Sequence, residues 1–337
     1  MNKTTFMRST ISILLSLASL LLFSCEPDNC SDSAEISDIS VNVDIIRLDQ
    51  ALFAAKSKAD VQSLLTQHPL YVSRYANLSG TDQDSLYYAE YFRLTQDPNI
   101  DTLYQQTQSV FSDLSTLITD FEQAFRHIKY YYPGFTPPTI YTTFTGLGSM
   151  GSDLLVSDSL IVISLDFFVG DEAHFRPQVY DYLIGRYTPE YIVPSCIMML
   201  SNRFNNTEES DNSLLAEMIY YGKSYYFVQQ MMPCLPDTII AGYDQEEITI
   251  VEDNTGMIWS HFIDNELLYE TSHIVKPRYV GERPVTVEIN SKIPGRVGRW
   301  LGWQIVEAYV DKTDKTLPQV MQEANAQQIF TQAKYRP

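Results

Sequence analysis

The spacing of apolar residues predicts two kinds of element in the first half of the chain. Residues 41–46 alternate partly between apolar and polar and predict a strand, which leads into a helix near Asp49–Ala55. Residues 101–130 place apolar side chains three and four positions apart, as expected for one long amphipathic helix. Residues 139–144 are rich in β-branched and aromatic residues, which predicts a further strand.

The rest of the chain is predicted to contain a hairpin followed by helices. Residues 154–165 form two short apolar runs around Ser157-Asp158-Ser159, so the sheet should have about four strands. Helical spacing then covers residues 190–203, 211–231, 245–268, 297–310 and 317–332. Asp244 and Glu247 form a capping box, and Asn212-Ser213 are typical of a helix start. A small sheet beside many helices predicts an α+β fold, a mainly helical single domain over residues 37–337.

The N-terminal segment has the pattern of a secretory signal. Lys3 and Arg8 precede an apolar run over residues 11–23, and Leu22-Phe23-Ser24-Cys25 resembles the bacterial lipobox. That resemblance implies cleavage before Cys25 and a diacylglycerol on its thiol. Residues 1–24 would be the signal peptide and residues 25–36 an acidic tether. The alternatives are an ordinary cleaved signal or an uncleaved anchor.

Charge excludes one class of partner. Removing residues 1–24 takes away two positive charges and moves the formal charge from −19 to −21. A body this acidic is repelled by nucleic acid, so no nucleic-acid binding is expected. No other window of the sequence approaches the length of a membrane span, so the predicted contact with the membrane is the lipid on Cys25.

The motifs of common enzymes are absent from the sequence. The five histidines are never three or four apart, and neither an HExxH nor a GxSxG motif occurs. Gly146 to Gly151 is interpreted as a turn, and His174 among acidic residues as a structural group. We therefore expect neither enzymatic activity nor a cofactor or metal. Cys196 and Cys234 lie in apolar segments and leave two possibilities open, a disulfide or two buried thiols.

The densest unusual cluster lies near the C-terminus. Gly298 and Gly302 are four residues apart, so a helix there has a bare stripe that another backbone can approach closely. The favoured interpretation is tight helix packing beside a tryptophan-rich core. The alternative is a partner or ligand groove that includes Trp300 and Trp303 and has Arg296 and Arg299 at its rim.

The chain resembles the gliding motility lipoprotein GldB family of the Bacteroidota. Besides the lipobox, the resemblance is carried by residues 163–170, 215–223, 259–262, 294–306 and 334–337, which read ISLDFFVG, LAEMIYYGK, WSHF, PGRVGRWLGWQIV and KYRP. The resemblance implies an envelope lipoprotein that gliding members need for surface gliding and that also occurs in species that do not glide.

A weaker resemblance is to gluzincin-like metallopeptidases. In those enzymes an HExxH helix and a Glu-Gly motif supply the zinc ligands. The corresponding positions here are Pro194 to Met198 and Tyr221-Gly222, which cannot hold zinc. The resemblance implies a degenerate zincin-like scaffold whose cleft survives as a peptide-binding groove.

Together these patterns predict a non-catalytic component of gliding motility or secretion-associated envelope machinery, with envelope proteins as partners and the outer membrane favoured over the inner. The alternative is an envelope hydrolase, a peptidase or a peptidoglycan-acting enzyme, with a site that the motifs above do not reveal.

Overall fold

The computed structural model describes residues 34–81 and 84–337, so the predicted signal peptide and Cys25 lie outside the described residues. The end of the predicted tether is included, and there Ala34–Ser37 form helix α1. Ile36 is buried, and the Tyr130 hydroxyl donates a hydrogen bond to Glu35 at 3.1 Å. The folded part of the chain therefore extends into the segment that the sequence assigned to the tether.

The first half of the described chain forms a sheet and the helices around it. The strands are β1 (Ile45–Arg47), β2 (Thr139–Thr143), β3 (Leu154–Val156) and β4 (Leu160–Ser164). The helices are α2 (Leu48–Phe53), α3 (Lys58–Thr66), α4 (Pro69–Arg74), α5 (Asp84–Leu94), α6 (Pro98–Phe111) and α7 (Ser115–Tyr131). The strand order is β1-β2-β4-β3. Strands β1, β2 and β4 are parallel, and β3 closes the predicted hairpin with β4.

The sheet is covered on both faces. All four residues from Leu160 to Ile163 are fully buried. Ile161 and Ile163 belong to the large core shared with α7 and the later helices, whereas Leu160 and Val162 pack on a smaller core formed by α2 to α5. An unbroken apolar run is what a parallel strand buried on both faces requires.

The second half is helical. Its helices are α8 (Asp181–Ile184), α9 (Ile192–Leu200), α10 (Leu214–Met231), α11 (Asp237–Ala241), α12 (Gln245–Asp253), α13 (Thr255–Asp264), α14 (Pro277–Val280), α15 (Val297–Thr313), α16 (Leu317–Gln322) and α17 (Ala326–Ala333). Helices α10 and α15 are the longest of these and pack against each other in the centre. The predicted capping box at Asp244 and the N-cap at Ser213 are both present.

Three segments predicted as single helices are each a pair. The segment 101–130 is divided into α6 and α7 because the Asp113 carboxylate accepts hydrogen bonds from the Ser115 backbone and hydroxyl, at 2.9 and 2.8 Å. The segments 245–268 and 317–332 are also divided, into α12 and α13 and into α16 and α17. The prediction of a mainly helical α+β domain with a small sheet is confirmed.

Two further predictions concern cysteines and the membrane. No disulfide joins Cys196 and Cys234: Cys196 is a buried thiol, and burial raises its pKa, whereas Cys234 is exposed. Of the helices in residues 34–81 and 84–337, none has the length and apolar character of a membrane span.

Candidate functional site

A cavity of about 220 Å³ opens where α9, the C-terminal end of α11 and the N-terminal end of α15 meet. Its wall combines apolar side chains of α9 and α11 with four charged ones. The charged residues are Arg186, Glu282, Arg296 and Arg299, and the apolar ones include Pro194, Met198, Met199 and Ile239. We call this cavity the arginine cleft.

The position of α15 is set by a glycine contact with α10. A methyl group on Gly302 would lie 2.5 Å from the carbonyl carbon of Met218, and one on Gly222 would lie 2.7 Å from the Trp303 nitrogen. Only glycine permits two backbones to approach so closely. The favoured interpretation of the Gly298 and Gly302 pattern, tight helix packing, is therefore confirmed for Gly302. A methyl group on Gly298 would lie 2.9 Å from the Val280 side chain and 3.1 Å from the Tyr279 carbonyl oxygen.

Arg296 is the innermost charged group of the cleft. It precedes α15 with φ +60°, in the left-handed region, and only 4% of it is exposed. Its Nη1 and Nη2 donate to the carbonyl oxygens of Ala241 and Gly242 at 2.6 and 2.7 Å, which satisfies the C-terminal end of α11. Its guanidinium also lies 5.0 Å from the centre of the Tyr243 ring.

Three arginines converge on Glu282. Arg186 and Arg299 each donate from Nη1, at 3.0 and 3.2 Å, and Arg296 Nε lies 3.3 Å from the same carboxylate. Burial alone disfavours the charged form of Glu282, but Arg296, Arg186 and Arg299 outweigh it and hold the pKa of Glu282 below its usual range. The cleft therefore holds three permanent positive charges and one carboxylate.

Two further contacts hold the arginine heads in place. Arg186 Nε donates to the Gly242 carbonyl at 3.1 Å, so that this oxygen serves two arginines. Arg299 Nε donates to the Val280 carbonyl at 2.5 Å, and its guanidinium lies 4.2 Å from the centre of the Tyr221 ring. The guanidinium groups are thus oriented before any ligand arrives.

A comparison with known proteins identifies the family. The model of gliding motility protein GldB matches residues 29–337. The chain belongs to the GldB family. No curated protein and no solved structure matches it. The resemblance to GldB is therefore confirmed, and the resemblance to gluzincin-like metallopeptidases gains no support.

The stretches that carry the GldB resemblance pack against one another. The stretch 215–223 lies on α10 and the stretch 294–306 around α15, and the two meet at Gly222 and Gly302. Trp259 of α13 packs edge-on against Tyr335 near the C-terminus, with 5.3 Å between ring centres. Asp166 of the stretch 163–170 is fully buried and accepts hydrogen bonds from the Thr145 and Leu147 backbones, so it holds the glycine turn.

The structure rearranges the predicted groove of this GldB-family chain. Arg299 lines the cleft as predicted, but Arg296 is buried at its base instead of lying at a rim. Trp300 and Trp303 are 4% and 1% exposed and belong to the core, where Trp303 stacks edge-on with Tyr225. The two tryptophans are therefore not available to a partner. Successive residues of a helix point to different sides, so Arg299 can line the cleft while its neighbour Trp300 packs in the core.

The sequence did not predict that the other residues of the cleft lie together with the arginines. Pro194 and Met198, the positions of the lost zinc ligands in the gluzincin comparison, lie on the same wall as the arginines. Arg186 and Glu282 were missed altogether, since each lies between helices and outside any periodic pattern. The described residues contain no group of three His, Cys, Asp or Glu that could hold a metal.

Proposed function

We propose that this GldB-family chain is a non-catalytic, lipid-anchored component of gliding motility or secretion-associated machinery at the outer membrane, and that it binds a partner protein in the arginine cleft. The observation that carries the proposal is the cleft itself, three oriented arginines with an apolar wall on a chain of formal charge −19. A positive cavity in an acidic protein attracts a partner of opposite charge and repels most others.

Two features support a binding role without catalysis. The wall positions compared with zinc ligands carry Pro194 and Met198, neither of which supplies a hard donor. The charged groups of the cleft are used to hold one another and the end of α11, as expected of a rigid binding surface. Arginine and methionine are both enriched where proteins recognise partners.

The experiment changes one exposed residue of the cleft without touching the core. Met199 is 41% exposed, so Met199→Glu in the chromosomal copy should leave abundance and melting temperature unchanged while it places a negative charge at the mouth. We expect proteins crosslinked to this chain in intact envelopes to be lost. Met257→Glu is the matched control, because Met257 is also a helical methionine and is 42% exposed.

Two results would contradict the proposal. One is an unchanged crosslinking pattern in Met199→Glu at normal abundance. The other is about one zinc per purified chain together with cleavage of casein, which would favour the hydrolase.

Anchoring has its own test at Cys25, which lies outside the described residues. We expect Cys25→Ala to abolish labelling by a palmitate analogue and to release the chain from membranes, because two or three acyl chains are needed for stable anchoring. Cys234→Ala should keep full labelling and serves as the control. Continued acyl labelling of Cys25→Ala would show that the anchor lies elsewhere.

A further inference from the structure

We infer that the arginine cleft recognises a carboxylate side chain next to an apolar one on an acidic segment of the partner protein, and that Glu282 occupies part of this site as an internal competitor. The inference rests on the proposed function, because it names the chemistry of the partner at the same cleft.

The charges that line the cleft indicate the charge of the partner segment that it binds. Arg186, Arg296 and Arg299 face one carboxylate of the lining, Glu282, so the cleft keeps an excess of two positive charges. Glu247 lies outside the lining but also attracts Arg296, so counting its carboxylate reduces the excess to one positive charge. An acidic partner segment is therefore favoured over a basic one.

The hydrogen-bond donors of the arginines that the chain leaves unused indicate which chemical group the cleft binds. Each guanidinium has five N–H groups, and Glu282 and backbone carbonyls take up only Nε and Nη1 of Arg186 and Arg299. Nη2 of either arginine donates no hydrogen bond to any part of the chain that the structure describes. Arg296 Nε is buried and makes no hydrogen bond within residues 34–81 and 84–337, although it lies 3.3 Å from the Glu282 carboxylate. Planar guanidinium groups match a carboxylate in two-point contact, and Glu282 shows that the site accepts one.

Size and surroundings point to a peptide segment. A volume of about 220 Å³ is below the range of small-molecule pockets, roughly 300–1,000 Å³, and suits one or two side chains of a longer chain. Met198, Met199 and Ile239 border the arginines, and methionine adapts its shape to an apolar side chain. Glu282 is 40% exposed, so an incoming carboxylate can displace it.

The test uses the full-length lipoprotein in detergent and two fluorescein-labelled peptides, one of alternating Leu and Glu and one of alternating Leu and Gln. We expect the Leu/Glu peptide to bind the protein more tightly, by fluorescence anisotropy, and the affinity to fall with salt. Glu282→Gln should tighten that binding about tenfold, because the arginines lose their internal partner. Glu288→Gln is the control: Glu288 pairs with Arg283 and Arg278, which do not line the cleft.

A merely structural Glu282 would behave differently. Its loss would lower the melting temperature without improving peptide binding, and the added Leu/Glu peptide would not restore the melting temperature of Glu282→Gln. Equal binding of both peptides to both proteins would overturn the inference. If Met199→Glu still loses its crosslinked partners in that case, the proposed function stands and only the chemistry of recognition is wrong.

Discussion

Replacing Gly302 with Leu is expected to remove most of the folded protein from cells and to lower the melting temperature of what remains by about 6 °C or more. The reason is that a single methyl group at Gly302 already meets the Met218 backbone, which cannot rotate aside as a side chain would. Helices α10 and α15 would have to separate. Overpacking costs about 1–3 kcal/mol where side chains can adjust, and we expect at least the upper value here.

Gly256→Leu is the matched control for this prediction. Gly256 also lies within a helix, α13, but, its chain neighbours and the backbone of its own helix aside, no residue that the structure describes comes within 4 Å of a Cβ placed on it. A side chain there also removes a flexible residue from a helix. Its melting temperature should therefore stay the same or rise. Gly298→Leu should fall between the two, because the Val280 side chain can move and the Tyr279 backbone is less close to Gly298 than the Met218 backbone is to Gly302. Equal melting temperatures for the Gly302 and Gly256 variants would show that the glycine contact is not needed.

Arg296→Met is expected to lower the free energy of unfolding by about 3 kcal/mol, measured by urea denaturation. The substitution leaves the Ala241 carbonyl without its donor and removes one of the three positive charges beside Glu282. Breaking a buried ion pair typically costs about 3–5 kcal/mol, and the lower figure applies because Arg186 and Arg299 remain. Arginine and methionine are both non-glycine residues, so the left-handed backbone at position 296 costs the wild-type protein and the variant the same free energy.

Arg278→Met provides the comparison for Arg296→Met. The Arg278 side chain is 48% exposed and lies 3.9 Å from Glu288, a surface pair that contributes little. Its free energy of unfolding should change by about 0.5 kcal/mol or less. Equal free energies of unfolding for the two variants would show that the buried contacts of Arg296 contribute no more than a surface ion pair.

The sequence predicted helices and strands well where the interactions that form them involve residues close together in the chain. The run Leu160 to Ile163 predicted a strand because its residues are apolar and mostly β-branched, and Asp244 with Glu247 predicted a helix start because both hydrogen bonds of a capping box lie within one turn. The division between α6 and α7 was missed for an equally local reason. Phe111 and Leu114 keep the helical spacing across the break, so the periodicity does not report it.

The site was harder to predict because it is assembled from distant segments. Gly298 and Gly302 indicated a close backbone contact, but not that Met218 and Gly222 provide the other side. Periodicity records which face of an element is apolar and contains nothing about which element covers it. Glu282 illustrates the same limit, since its role depends entirely on three arginines brought to it by the fold.

The pairing of the first two strands has a consequence for the order of folding. Ile45 lies opposite Ile140 in a parallel ladder, so β1 is synthesised long before β2, its neighbour in the sheet. Contacts between distant parts of a chain form slowly, because the entropy of closing the loop must be overcome first. Until β2 has been made, the edge of β1 that will face it is open and can pair with another molecule. Because β1 has only three residues, its open edge offers few hydrogen bonds to a wrong partner, and this limits the risk of mispairing.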